Sequence, residues 1–161
     1  MKTLAEKLVA LARPEIGVEE VDGTNCGVRV DAYKSATNLP PHESWPWCAA
    51  FVCWLVREAI RTDGPYTFAR PTTAGAWDFE NWSLKQDDST HTLRNPGRNI
   101  APGDIVIFKF SHVGLAIGAP DGDYVTTVEG NTDAEGSREG GGVFRKQRKL
   151  SQIKTRIRFT V

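Results

Sequence analysis

The sequence predicts an α+β fold, with helices in the N-terminal half packed on a C-terminal antiparallel sheet of about five strands. Three observations carry this. Apolar residues recur at helical spacing through the first half of the chain. After Pro102-Gly103 they alternate at period two, and turn residues separate the alternating runs.

The elements follow in order. Thr3, with Glu6 three residues later, forms a capping box, and Leu4, Leu8 and Leu11 repeat at helical spacing until Pro14 stops the helix. A second helix is expected over residues 27–37, where Val30, Tyr33 and Lys34 share a face. The third, PWCAAFVCWLVREAI over 46–60, is the most distinctive segment. Pro46 suits a first helical turn, where its missing N–H is not needed. From Cys48 to Val56 the only polar side chains are two thiols, so this helix is expected to be buried nearly all round. A shorter helix is expected over 73–82, followed by a long polar stretch to Pro102. DIVIFKF (104–110), HVGLAIG (112–118) and DYVTTVE (123–129) then read as consecutive strands of a meander, with Pro120-Asp121-Gly122 turning between the last two. Two more strands are expected over 143–149 and 153–160. Glu139-Gly140-Gly141-Gly142 reads as a loop and not a phosphate cradle, because no helix follows it.

With 161 residues the chain is expected to form one domain, 1–161, and its 40% hydrophobic and 25% charged residues are ordinary for a globular protein. No apolar run approaches the roughly 20 residues of a membrane-spanning helix. The N-terminus MKTLAEKLVALARPE does not read as a signal peptide, since Glu6 and Lys7 interrupt the apolar stretch. Synthesis in the cytoplasm is expected, with any action elsewhere depending on release by other means. Cys26, Cys48 and Cys53 are odd in number and lack paired ligand spacing, so free thiols, no disulfide framework and no structural zinc are expected. Arg138 to Val161 hold eight Lys or Arg and one acid, a net of +7; the remaining residues hold twelve and nineteen, a net of −7. The plainer reading puts these cations on the solvent faces of strands, because Ile153, Ile157 and Phe159 alternate with Lys154, Arg156 and Arg158. The other makes them a surface for an anionic polymer. Nucleic acid is not expected: no recognised motif and no aromatic stacking platform accompanies the basic strands.

The chemistry centres on Cys48. A thiolate is a far better nucleophile than a thiol, and a helix N-terminus stabilises it while its free N–H groups can hold an oxyanion. Cys53 lies about 140° further round the helix and is expected to point into the core. A lone buried cysteine is more often inert packing, but the hairpin supplies a partner. A turn centred between Pro120 and Asp121 sets His112 opposite Glu129, and a turn slipped by one position sets it opposite Asn131. Both place an acceptor on the face of the imidazole, because residues two apart share a strand face. An imidazole acting as a base needs such an acceptor to fix its tautomer. His42, in LPPHES, and His91, in the polar stretch, read as solvated loop residues.

Trp47-Cys48-Ala49-Ala50-Phe51-Val52 resembles the nucleophile helix of the CHAP domains, the cysteine- and histidine-dependent amidohydrolases and peptidases of papain-like fold. Pro102 to Phe108 followed by His112-Val113-Gly114 is similar to their histidine-bearing strand pair. Val128-Glu129-Gly130-Asn131-Thr132 is similar to the strand end that carries the acidic third member and a nearby asparagine. The resemblance spans about residues 15 to 148 and implies a peptidoglycan hydrolase of endolysin type. Such an enzyme cleaves the amide between sugar and stem peptide, or a bond within the stem or cross-bridge peptides. It implies Cys48 as nucleophile, His112 as general base and acid, Glu129 as the group orienting His112, and Asn131 as an auxiliary orienter. It further implies Trp47 as a groove wall, with Asn25 and Tyr33 as oxyanion or groove residues. Some relatives carry an Asp-rich calcium loop before the cysteine. Here that segment, Asn38-Leu39-Pro40-Pro41-His42-Glu43-Ser44, has one carboxylate, and no metal or other cofactor is expected. The expected partner is bacterial peptidoglycan, met as a monomer, with an anionic envelope polymer as a candidate for the basic strands. Two other readings stand beside this one: a non-catalytic envelope-binding module of the same fold, and a cysteine amidase acting on a small non-wall amide.

Overall fold

In the computed structural model, residues 2–62 and 64–161 are described. Helix α1 spans Leu4–Ala12, and its capping box is formed: the Thr3 hydroxyl accepts from the Glu6 N–H at 3.2 Å, and Glu6 accepts from the Thr3 N–H at 2.7 Å. Pro14 falls in the 3-10 turn Arg13–Glu15 that ends it. Helix α2 is shorter than expected, Val28–Lys34. Helix α3, Cys48–Arg61, begins two residues after Pro46, so Cys48 is its first residue and lies among the N–H groups without intrahelical partners. Every residue from Cys48 to Val56 is buried, as the absence of polar side chains required. Helix α4 is confined to Asp78–Ser83.

The sheet has six strands: β1 (Thr90–Arg94), β2 (Ile105–Phe108), β3 (His112–Ala116), β4 (Tyr124–Thr132), β5 (Gly142–Lys149) and β6 (Ile153–Phe159). Its order is β1-β6-β2-β3-β4-β5, with every neighbouring pair antiparallel. The expected meander therefore holds for β2 to β5, but β6 returns to pair with β2 and carries β1 outside it. Strand β1 was not expected from the sequence. As an edge strand it buries only Thr90, so THTLR shows no apolar alternation. Its hydroxyls are held instead by α4, where Ser83 bonds both Thr90 and Thr92.

The helices cover one face. Leu8, Phe51, Val52 and Leu55 pack on Ile105, Ile107, Val113, Leu115 and Val128 in a single apolar cluster. A smaller cluster of Val106, Phe108, Ala116, Val125 and Ile153 occupies the alternate positions and so the other face. Strands β2 and β3 are buried on both faces, which is why IVIF and HVGLA read as continuous runs.

The solvent-face reading of the C-terminal cations is corrected at two positions. Arg156 is 2% and Arg148 6% exposed. The Arg156 guanidinium donates to the backbone carbonyls of Asn99 and His91 and lies 3.9 Å from Asp104. Beside it Arg158 makes a two-pronged pair with Asp104 at 2.8 and 2.7 Å. A buried cation must be compensated, and here carbonyls and carboxylates do so. These arginines are thus committed internally, which removes them from the surface envisaged for an anionic polymer.

Candidate active site

Two close approaches bring the candidate side chains together. Gly130 of β4 faces the first turn of α3: a Cβ there would lie 2.8 Å from the Phe51 Cβ and from the Trp47 ring. Its absence lets β4 reach the helix that begins at Cys48. Gly114 of β3 lies under Glu129, where a Cβ would stand 2.6 Å from the Glu129 Cγ.

Strand register then sets the partners. Leu115 pairs with Val128 and Ala116 with Thr127. This is the slipped register of the two that the hairpin allowed; the pairing shifts again at the tip, where Asp121 bridges Tyr124. Continued along β3, it sets Gly114 beside Glu129 and His112 beside Asn131. The imidazole nonetheless bonds Glu129, its diagonal neighbour on the same face, with Nε2 to Oε1 at 2.9 Å.

Glu129 is fully buried. Burial alone would raise its pKa, but hydrogen bonds from Arg148 and His112 hold it down, at about 2. An ionised carboxylate only accepts, so His112 Nε2 carries a proton, and Nδ1 is the nitrogen left to hold a second one taken from Cys48. Among the described residues Nδ1 has no conventional hydrogen-bond partner. Its active neighbour is Cys48. Burial opposes the imidazolium, while the Cys48 thiol and then Glu129 more than offset this and raise the His112 pKa to about 9. Cys48 is 7% exposed and His112 has no exposed surface, so the thiol is the more accessible member. Cys53 points away, as its helical position requires. Its Sγ donates to the Thr73 carbonyl at 3.3 Å, and burial pushes its pKa up to about 12.

The remaining sequence candidates are placed differently. Asn131 is buried in a left-handed conformation (φ +57°), and its amide donates to the Arg138 carbonyl at 3.2 Å instead of to His112. Trp47 and Tyr33 have no exposed surface and therefore line no groove in this structure. Their rings stack at 5.7 Å, the Trp47 N–H donates to Glu20 at 2.9 Å, and the Tyr33 hydroxyl bonds Glu15. Packing in the helical core explains both. Asn25, partly exposed, acts through its backbone: its carbonyl accepts from Lys34 Nζ at 2.6 Å, and the same ammonium bonds the Glu43 carbonyl at 2.7 Å. His42 is solvated, as expected, whereas His91 belongs to β1 and its Nδ1 lies 2.9 Å from Arg156.

Sequence reasoning missed Lys34, which ties the loop before α3, and also Thr127 and Arg148, which bond Glu129. Arg148 is one of four cations in RKQRK, and nothing separates it from its neighbours until the register sets it opposite Val125. A cavity of about 570 Å³ at the ends of β4 and β5 is lined by Glu19, Glu20, Asp22, Asp133 and Glu139, and by neither Cys48 nor His112.

A thiol at a helix start, an imidazole of fixed tautomer and a buried carboxylate behind it make an arrangement suited to nucleophilic catalysis by cysteine. The CHAP domain model matches residues 40–131, more than half of the chain, and the chain belongs to that family. Among solved structures, the crystal structure of a wild type endolysin LysIME-EF1 has a TM-score of 0.56 at 14% identity, over 98% of this chain and 64% of that one. At that identity the likeness is one of fold, and the chain spans under two thirds of that structure's length. No curated protein matches.

Proposed function

We propose that the chain is a cysteine hydrolase acting on bacterial peptidoglycan, with Cys48 as nucleophile, His112 as base and then acid, and Glu129 as the orienting carboxylate. The observation that carries this is the Glu129–His112 bond at 2.9 Å, which commits Nε2 and leaves Nδ1 for the thiol proton. Membership of the CHAP domain family and an endolysin of similar fold support the wall as substrate.

In the first stage His112 takes the Cys48 proton and the sulfur attacks an amide carbonyl, while the free N–H groups at the start of α3 hold the oxyanion. The imidazolium then protonates the leaving amine. In the second stage water, activated by His112, releases the acyl group and restores the thiol. Asn131 serves as an auxiliary orienter: the register sets it beside His112, and its buried Oδ1 has no partner among the described residues. Residues 1–161 act as one catalytic unit, released from the cytoplasm of a phage-infected or lysogenic cell to reach the wall. No helix among the described residues is long and apolar enough to cross a membrane.

Purified peptidoglycan digested with the protein and analysed by mass spectrometry tests substrate and bond together. New amine and carboxyl termini are expected, either at the muramoyl–peptide amide or within the peptides. Cys48→Ala is expected to abolish product with folding intact. Cys53→Ala is expected to keep activity and lose about 1–2 kcal/mol of stability. Wall lysis by Cys48→Ala, together with its loss in Cys53→Ala, would sink the assignment.

A further inference from the structure

Glu129 is a fully buried carboxylate whose two oxygens are both engaged. Oε1 accepts from His112 at 2.9 Å and from Arg148 Nη2 at 2.5 Å; Oε2 accepts from Thr127 at 2.5 Å and from Arg148 Nε at 2.9 Å. The fork of Arg148 thus spans the carboxylate and fixes its plane, which a point cation cannot do. The third arm, Nη1, donates to the Gly136 carbonyl at 3.1 Å and anchors the guanidinium to the loop between β4 and β5. Its Cζ lies 5.2 Å from the Phe108 ring centre and 5.1 Å from that of Phe110. Those two rings in turn stack on His112, at 5.9 Å each. Arg148 therefore reaches His112 by two routes, through the carboxylate and through the aromatic pair.

Resting on the reading of Cys48, His112 and Glu129 as the catalytic group, we propose that Arg148 is a positioning residue of the site. Its fork keeps Glu129 ionised and aimed at Nε2, and so keeps Nδ1 of His112 facing Cys48. The ionisable groups acting on Glu129 are His112 from β3 and Arg148 from β5, and Cys48 of α3 acts in turn on His112. Removing Arg148 leaves burial unopposed by its strongest counterweight, so Glu129 takes up a proton at higher pH. His112 then loses its acceptor and the thiol loses its base.

The test compares Arg148→Met, Arg148→Lys and Arg158→Met with the parent. The last removes an arginine of β6 that pairs with Asp104, away from the site. The rate of Cys48 alkylation by iodoacetamide is followed against pH, with the site of modification read by peptide mass, beside kcat and KM on peptidoglycan. For folded Arg148→Met the acid inflection of alkylation is expected to rise by about one pH unit or more, and kcat to fall about tenfold at nearly constant KM. Arg148→Lys keeps the charge and loses the fork; a kcat loss of about threefold with the inflection nearly restored is expected. An unchanged inflection and kcat in folded Arg148→Met overturns the proposal, as does an equal shift in Arg158→Met. If Arg148→Met does not fold, Arg148→Lys decides: a parental kcat overturns the role of the fork. Alkylation needs no substrate. A moved inflection in a protein that never cuts peptidoglycan would therefore count against the proposed function and leave the role of Arg148 standing.

Discussion

Cys48 and Cys53 lie on one helix but in different surroundings, and the proposed mechanism assigns them different parts. Cys53 is buried with its Sγ on the Thr73 carbonyl, and burial, only partly offset by Arg70 and that bond, holds it as a thiol far above neutral pH. Cys48 faces an imidazole whose other nitrogen is already engaged. The raised pKa of His112 has a direct consequence for turnover. The proton given to the leaving amine must still be on the ring, and it is lost as pH rises through about 9. We expect kcat on peptidoglycan to be level near neutrality and to fall above that value. A rate still rising at pH 10 would show that His112 is not the acid.

Among the elements, the hairpin of β3 and β4 decides the site. Its register, with Leu115 opposite Val128, holds Gly114 beneath Glu129. Because the carboxylate occupies the space of a missing Cβ, Gly114→Ala must push it off His112 or open the strand pair. The expected stability cost is about 1–3 kcal/mol. The expected loss in kcat is about tenfold or more, since the orienting bond is disturbed. Thermal melts and kinetics on the same preparation check both, and a variant with parental kcat would remove Glu129 from its assigned role. Helix α3 contributes through its start. Lys34 bonds the carbonyls of Asn25, before α2, and of Glu43, in the loop that leads to Trp47 and Cys48.

At the scale of the whole molecule, the same buried cluster links folding to pH. Glu129 is held at about 2 against an ordinary 4.5, so its contribution to stability is present above 4.5 and is lost as pH falls towards 2. His112 is raised to about 9 from 6.5, so its contribution is complete below 6.5 and is lost as pH rises through 9. Both are in place between about 4.5 and 6.5, and denaturant melts across pH are expected to show the cluster's greatest effect in that window. Glu129→Gln should make the acid side of the curve shallower, leaving the part that Glu15 and Glu80, also held low, supply. An acid slope unchanged in this variant would place the whole linkage in those other carboxylates.

Much of this was legible without coordinates. The helix of Cys48 declared itself through nine residues without a polar side chain other than thiols, and β2 and β3 through apolar runs covered on both faces. The bond between His112 and Glu129 was anticipated because strand alternation is local: either hairpin register set an acceptor beside the imidazole. What the tertiary structure decided was everything that depends on strands distant in sequence. Strand β1 is polar because an edge strand need bury only one residue, and its identity comes from β6, its partner. Trp47 and Tyr33 became core residues once α2 and α3 packed. Arg148 and Arg156 left the solvent for carboxylates and carbonyls that only the folded sheet brings within reach. Short-range periodicity writes an element into the chain, whereas the partner of a buried charge is set by a register that no local pattern contains.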